Sequence, residues 1–157
     1  MHQFYKGDTV RTQRADWSAT PQQEQARVLI VEDDNEAREA LHMLLVLQGF
    51  DVAVAADGAE GLRLAGRFQP HLVLLDISMP LMDGFDVARM LRDMAFGSRP
   101  RLVALTALTA PADIQHAFDA GFDEYCAKPV EPARIYSIVN RHADALGLKR
   151  QKKHQTN

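Results

Sequence analysis

A handful of residues in this sequence have the types and spacing to do chemistry together: Glu32, Asp33 and the adjoining Asp34, a solitary Asp76, Thr106 and Lys128. Each stands just past a short strand-like run, residues 28–31 before the acids, 72–75 before Asp76, 102–105 before Thr106 and 124–127 before Lys128. Taken singly they have plain roles. Acids favour helix starts, threonine is at home in a strand, and a lysine before proline sits at the surface. Taken together they offer a nucleophilic carboxylate, hard oxygen ligands, a hydroxyl and an ammonium. Adjacent carboxylates raise one another's pKa unless a cation neutralises them, and magnesium accepts such a set. Phosphoryl transfer onto a carboxylate needs this combination, because the transferred group spreads negative charge over oxygens that a metal, a lysine and a hydroxyl donor stabilise.

Strands must bring these groups together, and residues 71–84, HLVLLDISMPLMDG, show how. Residues 72–75 lack the alternation of a one-sided strand, so the run reads as a parallel strand covered on both faces, with Asp76 at its carboxyl end. Similar strands at 28–31, 52–55, 102–105 and 124–127 alternate with helical patterns at 35–48, 59–68, 85–94, 113–120 and 132–146. Gly49 and Gly121 stop helices, and Pro132 opens the last one. The alternation implies right-handed crossovers and an α/β fold: a doubly wound five-stranded parallel sheet with five helices. In the strand order 2-1-3-4-5, strands one, three, four and five adjoin, and their carboxyl ends form one crevice.

The 157 residues, 46% of them hydrophobic, suffice for one well-cored domain and fall short of two. That domain is expected over residues 27–146, between a flexible leader, 1–26, containing Phe4, Tyr5 and Trp17, and a basic tail, 147–157, read as a solvated end. The formal charge of −3 is uneven: the leader has three basic and three acidic residues and the tail four basic ones, which leaves −7 in the middle. A net-acidic body argues against direct nucleic-acid binding, which needs clustered Lys and Arg. The single Cys126 excludes an intramolecular disulfide, and nothing beside it has zinc-ligand spacing. With no apolar run long enough for a bilayer and no signal-peptide core, a cytoplasmic protein that makes no use of a membrane is expected.

In type and order, the acids, Asp76, Thr106 and Lys128 resemble the active site of the receiver domain of two-component response regulators, over roughly residues 27–146. The spacings from Asp33 to Asp76, and from Asp76 to Thr106 and Lys128, are those of a typical receiver. The resemblance implies the flavodoxin-like receiver fold. It makes Asp76 the phosphoacceptor, supplied by a phosphohistidine on a histidine kinase or histidine phosphotransfer protein. Thr106 takes the place of the switch hydroxyl, Tyr125 that of the aromatic switch residue, and Lys128-Pro129 that of a bond often cis in the family. Mg2+ is the implied cofactor, with Asp33 and Asp76 as direct ligands, Glu32 mainly through water, and Ser78 through its backbone carbonyl. Asp33-Asp34 is the alternative acidic pair; Glu32-Asp33 is preferred because the family's pair directly follows the apolar strand, whose last apolar residue is Val31.

Met79-Pro80 and Asp83-Gly84 match the family's loop after the phosphoacceptor, and residues 121–132 look most like receivers of hybrid histidine kinases. Two features depart from the common pattern: Leu108 is apolar where many relatives are polar, and the chain ends soon after the fifth helix. The expected role is a phosphorylation-controlled switch, a phosphoacceptor and not an enzyme, that signals through a partner protein as a free-standing regulator or an excised receiver. One alternative is a receiver-like scaffold that is never phosphorylated, against which the complete constellation argues. Another is a haloacid-dehalogenase-type phosphatase, whose nucleophile ends the first strand and not the third. A flavodoxin-like flavin protein would need Gly, Ser and Thr donors where this first loop is acidic.

Overall fold

The computed structural model describes residues 24–151. Phe4, Tyr5, Trp17, Lys152 and Lys153 lie outside the described residues. The strands β1 (Arg27–Val31), β2 (Asp51–Ala55), β3 (Leu72–Asp76), β4 (Arg101–Thr106) and β5 (Glu124–Ala127) alternate with the helices α1 (Asn35–Leu47), α2 (Gly58–Phe68), α3 (Gly84–Asp93), α4 (Pro111–Ala120) and α5 (Pro132–Ala145). All strand pairs are parallel, in the order β2-β1-β3-β4-β5. The fold is therefore the doubly wound sheet that the strand-helix alternation predicts.

Successive side chains of a strand point to opposite faces, and the core divides accordingly. Leu29, Val31, Val73, Leu75, Leu102 and Ala104 pack with Ala65 of α2, Val87 and Leu91 of α3, and Ala117 of α4. Their sequence neighbours Val28, Ile30, Leu72, Leu74, Val103 and Leu105 pack on the other face with Leu41 and Leu45 of α1 and Ile135 and Val139 of α5. Both faces of the central strands are dry, so strands β1, β3 and β4 consist almost wholly of apolar residues, and polar groups begin only where the strands end.

Three helices start on an aspartate whose carboxylate accepts a first-turn N–H: Asp34 from Ala37 at 2.8 Å, Asp57 from Glu60 at 2.8 Å and Asp83 from Asp86 at 2.9 Å. Helix α4 begins at Pro111, two residues before the predicted start. A proline at the first helical position gives up an N–H that has no partner there.

The domain closes differently from the expectation at its ends. Lys149, assigned from sequence to a solvated tail, pairs as a parallel bridge with Gln25: its N–H donates to the Glu24 carbonyl at 3.0 Å, and its carbonyl accepts the Ala26 N–H at 2.9 Å. The Gln151 N–H donates to the Gly49 carbonyl at 2.8 Å. Gly49 has a φ of +89°, and its missing side chain leaves room for the Gln151 backbone. Arg150 lies over the Phe50 ring at 6.0 Å and pairs with Asp144 at 2.9 Å. Backbone pairing, with no apolar period to betray it, holds this segment.

Candidate functional site

Asp76 is the last residue of β3, and its side chain is almost fully buried. One carboxylate oxygen accepts the Ser78 N–H at 3.0 Å, and the other faces the Lys128 Nζ at 3.1 Å. Gly84, the first residue of α3, presses on this strand end. A Cβ there would lie 2.5 Å from the Asp76 carbonyl oxygen, so a glycine is what lets the helix start so close to the acceptor.

Lys128 follows β5, where its N–H donates to the Thr106 carbonyl at 2.8 Å and a cis bond joins it to Pro129. Its ammonium stands 3.3 Å from Glu32 Oε2 as well as beside Asp76. Burial works against the charged lysine, but the two carboxylates outweigh it and hold its pKa above the ordinary value.

Glu32 is only 1% exposed at the end of β1, and its Oε1 accepts the Asp34 N–H at 3.1 Å. Burial pushes its pKa up to about 7; Asp76 adds to the shift, while the Asp34 N–H and Lys128 oppose it. Carboxylate oxygens of Glu32, Asp33 and Asp76 all lie within 4.8 Å of one another. Asp33 stands at the exposed mouth of this group, whereas Asp34 turns its carboxylate to the start of α1. Three acids against one lysine leave an excess of negative charge, and the donors are all hard carboxylate oxygens. The set fits a divalent cation of the magnesium type.

Thr106, buried at the end of β4, accepts the Leu108 N–H at 2.9 Å. The Leu108 side chain is 40% exposed and does not enter either core cluster. Tyr125 is half-buried on the face covered by α2, α3 and α4, and Ser78 is exposed on the loop after β3. The structure therefore gathers Glu32, Asp33, Asp76 and Lys128 within direct reach and places Thr106 on the adjoining strand end. Sequence reading missed Arg38, whose guanidinium donates to the Glu32 carbonyl at 2.9 Å. The available signal was a basic residue one turn inside a helix that begins on acids.

The model of one protein family, the response regulator receiver domain, matches residues 28–140. The chain belongs to this family. It is 38% identical over 122 residues to the DNA-binding response regulator MtrA of Mycobacterium tuberculosis, a match covering 75% of this chain and 52% of MtrA. It is 36% identical to an uncharacterized 14.6 kDa protein of Leptolyngbya boryana, over 78% of this chain and 93% of that protein. Among solved structures, the receiver domain of the sensor histidine kinase PA1611 of Pseudomonas aeruginosa, with magnesium in its active-site cleft, matches with a TM-score of 0.69 and 30% identity, over 76% and 98% of the two chains. The chemotaxis protein CheY4 of Vibrio cholerae matches with a TM-score of 0.71 and 28% identity, over 74% and 98%. The receiver spans about half the length of the DNA-binding regulators it matches. Among its described residues no helix is long and apolar enough to cross a membrane.

Proposed function

We propose that this receiver domain takes a phosphoryl group from a phosphohistidine onto Asp76 and passes the signal on through an altered partner surface. The observation that carries this reading is the Lys128 ammonium 3.1 Å from an Asp76 carboxylate oxygen, beside a cluster of three acids. A new bond forms between an Asp76 oxygen and phosphorus as the phosphorus–nitrogen bond of the donor imidazole breaks, and the electron pair of that bond leaves with the imidazole. Lys128 stabilises the charge on the phosphoryl oxygens, and the Ser78 N–H keeps the Asp76 carboxylate in one orientation. Asp33 and Asp76, with Glu32 behind them, would hold Mg2+; when bound, the ion neutralises the acids and the phosphoryl oxygens.

The chain acts as an acceptor that assists its own phosphorylation and hydrolysis, not as a catalyst of another molecule's reaction. Its donor is a histidine kinase or phosphotransfer protein of the cytoplasm, and its output is a partner protein that reads the phosphorylated surface. Incubation with Mg2+ and acetyl phosphate or phosphoramidate should add the mass of one phosphoryl group, and prior chelation of the metal should prevent it. No gain with any donor would favour the unphosphorylated scaffold.

A further inference from the structure

The acids of the first loop need their backbone held, because Asp33 is exposed and its carboxylate direction follows from the peptide that bears it. On one side the loop is tied to the sheet, through the Glu32 N–H to the Ala55 carbonyl at 3.1 Å. On the other it is tied to α1 through the Arg38 N–H to the Asp34 carbonyl at 2.9 Å, the Asp34 carboxylate on the Ala37 N–H, and the side chain of Arg38, half-buried one turn into α1, which reaches past Asp34 to the peptides of the two acids before it. One guanidinium nitrogen donates to the Glu32 carbonyl at 2.9 Å and reaches the Asp33 carbonyl at 3.5 Å, and the other donates to the Asn35 side-chain oxygen. The fork is directed at two carbonyls and an amide, not at the carboxylates. Arg38 therefore fixes the peptides of Glu32 and Asp33 without taking up a carboxylate oxygen of either.

We infer that Arg38 is a positioning residue for magnesium: it fixes the loop that aims Asp33 at the site shared with Glu32 and Asp76. The inference rests on the metal reading of that site given above. Two effects of Arg38 on a bound cation have opposite signs. As a nearby positive charge it repels the ion, so its removal would tighten binding. As the clamp on the ligand-bearing loop it preorganises the site, so its removal would weaken binding, and loss of comparable outer-shell hydrogen bonds costs about tenfold or more in metal affinity. Clamping is expected to win, because the guanidinium is spread over hydrogen bonds to neutral acceptors and its charge acts partly through solvent.

Calorimetric or fluorescence titration with Mg2+ on the wild type, Arg38→Ala and Arg38→Lys decides the matter. The wild type should bind, Arg38→Ala should bind about tenfold more weakly, and Arg38→Lys should stay close to Arg38→Ala, since an ammonium cannot span both carbonyls and Asn35. At saturating Mg2+ the phosphorylation rate of Arg38→Ala should return to near the wild-type value. In the metal-free variant the amide of Asp34, which donates to Glu32 Oε1, should exchange faster, while the core amides of β3 stay protected. Unchanged or tighter Mg2+ binding in Arg38→Ala, or full rescue by lysine, would overturn the role of Arg38. Failure of the wild type to bind Mg2+ would instead overturn the metal reading itself.

Discussion

At the scale of single residues the site is governed by a buried acid and its neighbours. Glu32 keeps a proton more firmly in the fold than in an unfolded chain, its pKa being pushed up to about 7 from an ordinary 4.5. Its favourable effect on metal-free stability is thus complete below the ordinary value and is lost as the pH rises through about 7. A proton and a metal compete for the same charge. Mg2+ affinity is therefore expected to rise by up to about tenfold per pH unit toward pH 7 and to level off above it. Titrations between pH 5.5 and 8 check this, and Glu32→Gln should flatten the profile; a wild-type affinity already flat with pH would contradict it.

Neighbouring acids of the same type have different work. Asp34 accepts the Ala37 N–H as a helix cap, and Asp33 lies with Glu32 and Asp76. Asp34→Ala should cost about 1 kcal/mol of stability and leave Mg2+ binding nearly intact. Asp33→Ala should do the reverse, and paired unfolding and Mg2+ titrations would expose an error in this division if the two variants behaved alike.

Among the elements, β4 and β5 link the site to the surface around α4 and α5. Thr106 and Lys128 are joined through a backbone hydrogen bond of 2.8 Å, and Tyr125 lies in the same strand pair, half-buried against the α4 side. A phosphoryl group on Asp76 favours a conformation only by the difference of its contacts in the two states. A hydrogen bond from the Thr106 hydroxyl to that charged group would supply about 1.5–3 kcal/mol, enough to shift a population roughly tenfold or more. Amide spectra of α4, β5 and the start of α5 should therefore change on adding a phosphoryl mimic, and Thr106→Ala should remove most of the change. Identical spectra with and without the mimic would refute the switch.

The elements themselves were legible in the sequence because the central strands β1, β3 and β4 are apolar runs buried on both faces, the edge strands β2 and β5 are short apolar-rich runs between helical patterns, and helices carry start or stop signals such as Gly49, Gly121 and Pro132. The convergence of the acids, Asp76, Thr106 and Lys128 followed from strand order alone. Arg38 was harder to read: its mark in the sequence is a basic residue one turn inside a helix that begins on acids, and the groups it binds are two backbone carbonyls, which every residue has, and the side chain of Asn35.

For the whole molecule, the sheet separates chemistry from closure. The carboxyl ends of β1, β3, β4 and β5 hold the acids, Asp76, Thr106 and Lys128, while residues 24–26 and 148–151 pair near the opposite edge, where β1 and β2 begin. Composition hid that pairing: the last residues are basic and lack a period, yet their backbone groups find partners at Glu24, Ala26 and Gly49. The −7 charge of the middle segment is in part a property of the site, whose three clustered acids face one lysine.

The central claim is that Asp76, among these acids, takes the phosphoryl group. Reductive cleavage of an aspartyl phosphate with borohydride converts that residue to homoserine, and peptide mass spectrometry then reads its position. After treatment with Mg2+ and a small phosphodonor, homoserine is expected at position 76 and none in Asp76→Asn. Homoserine at position 33 or 34, or undiminished labelling of Asp76→Asn, would contradict it.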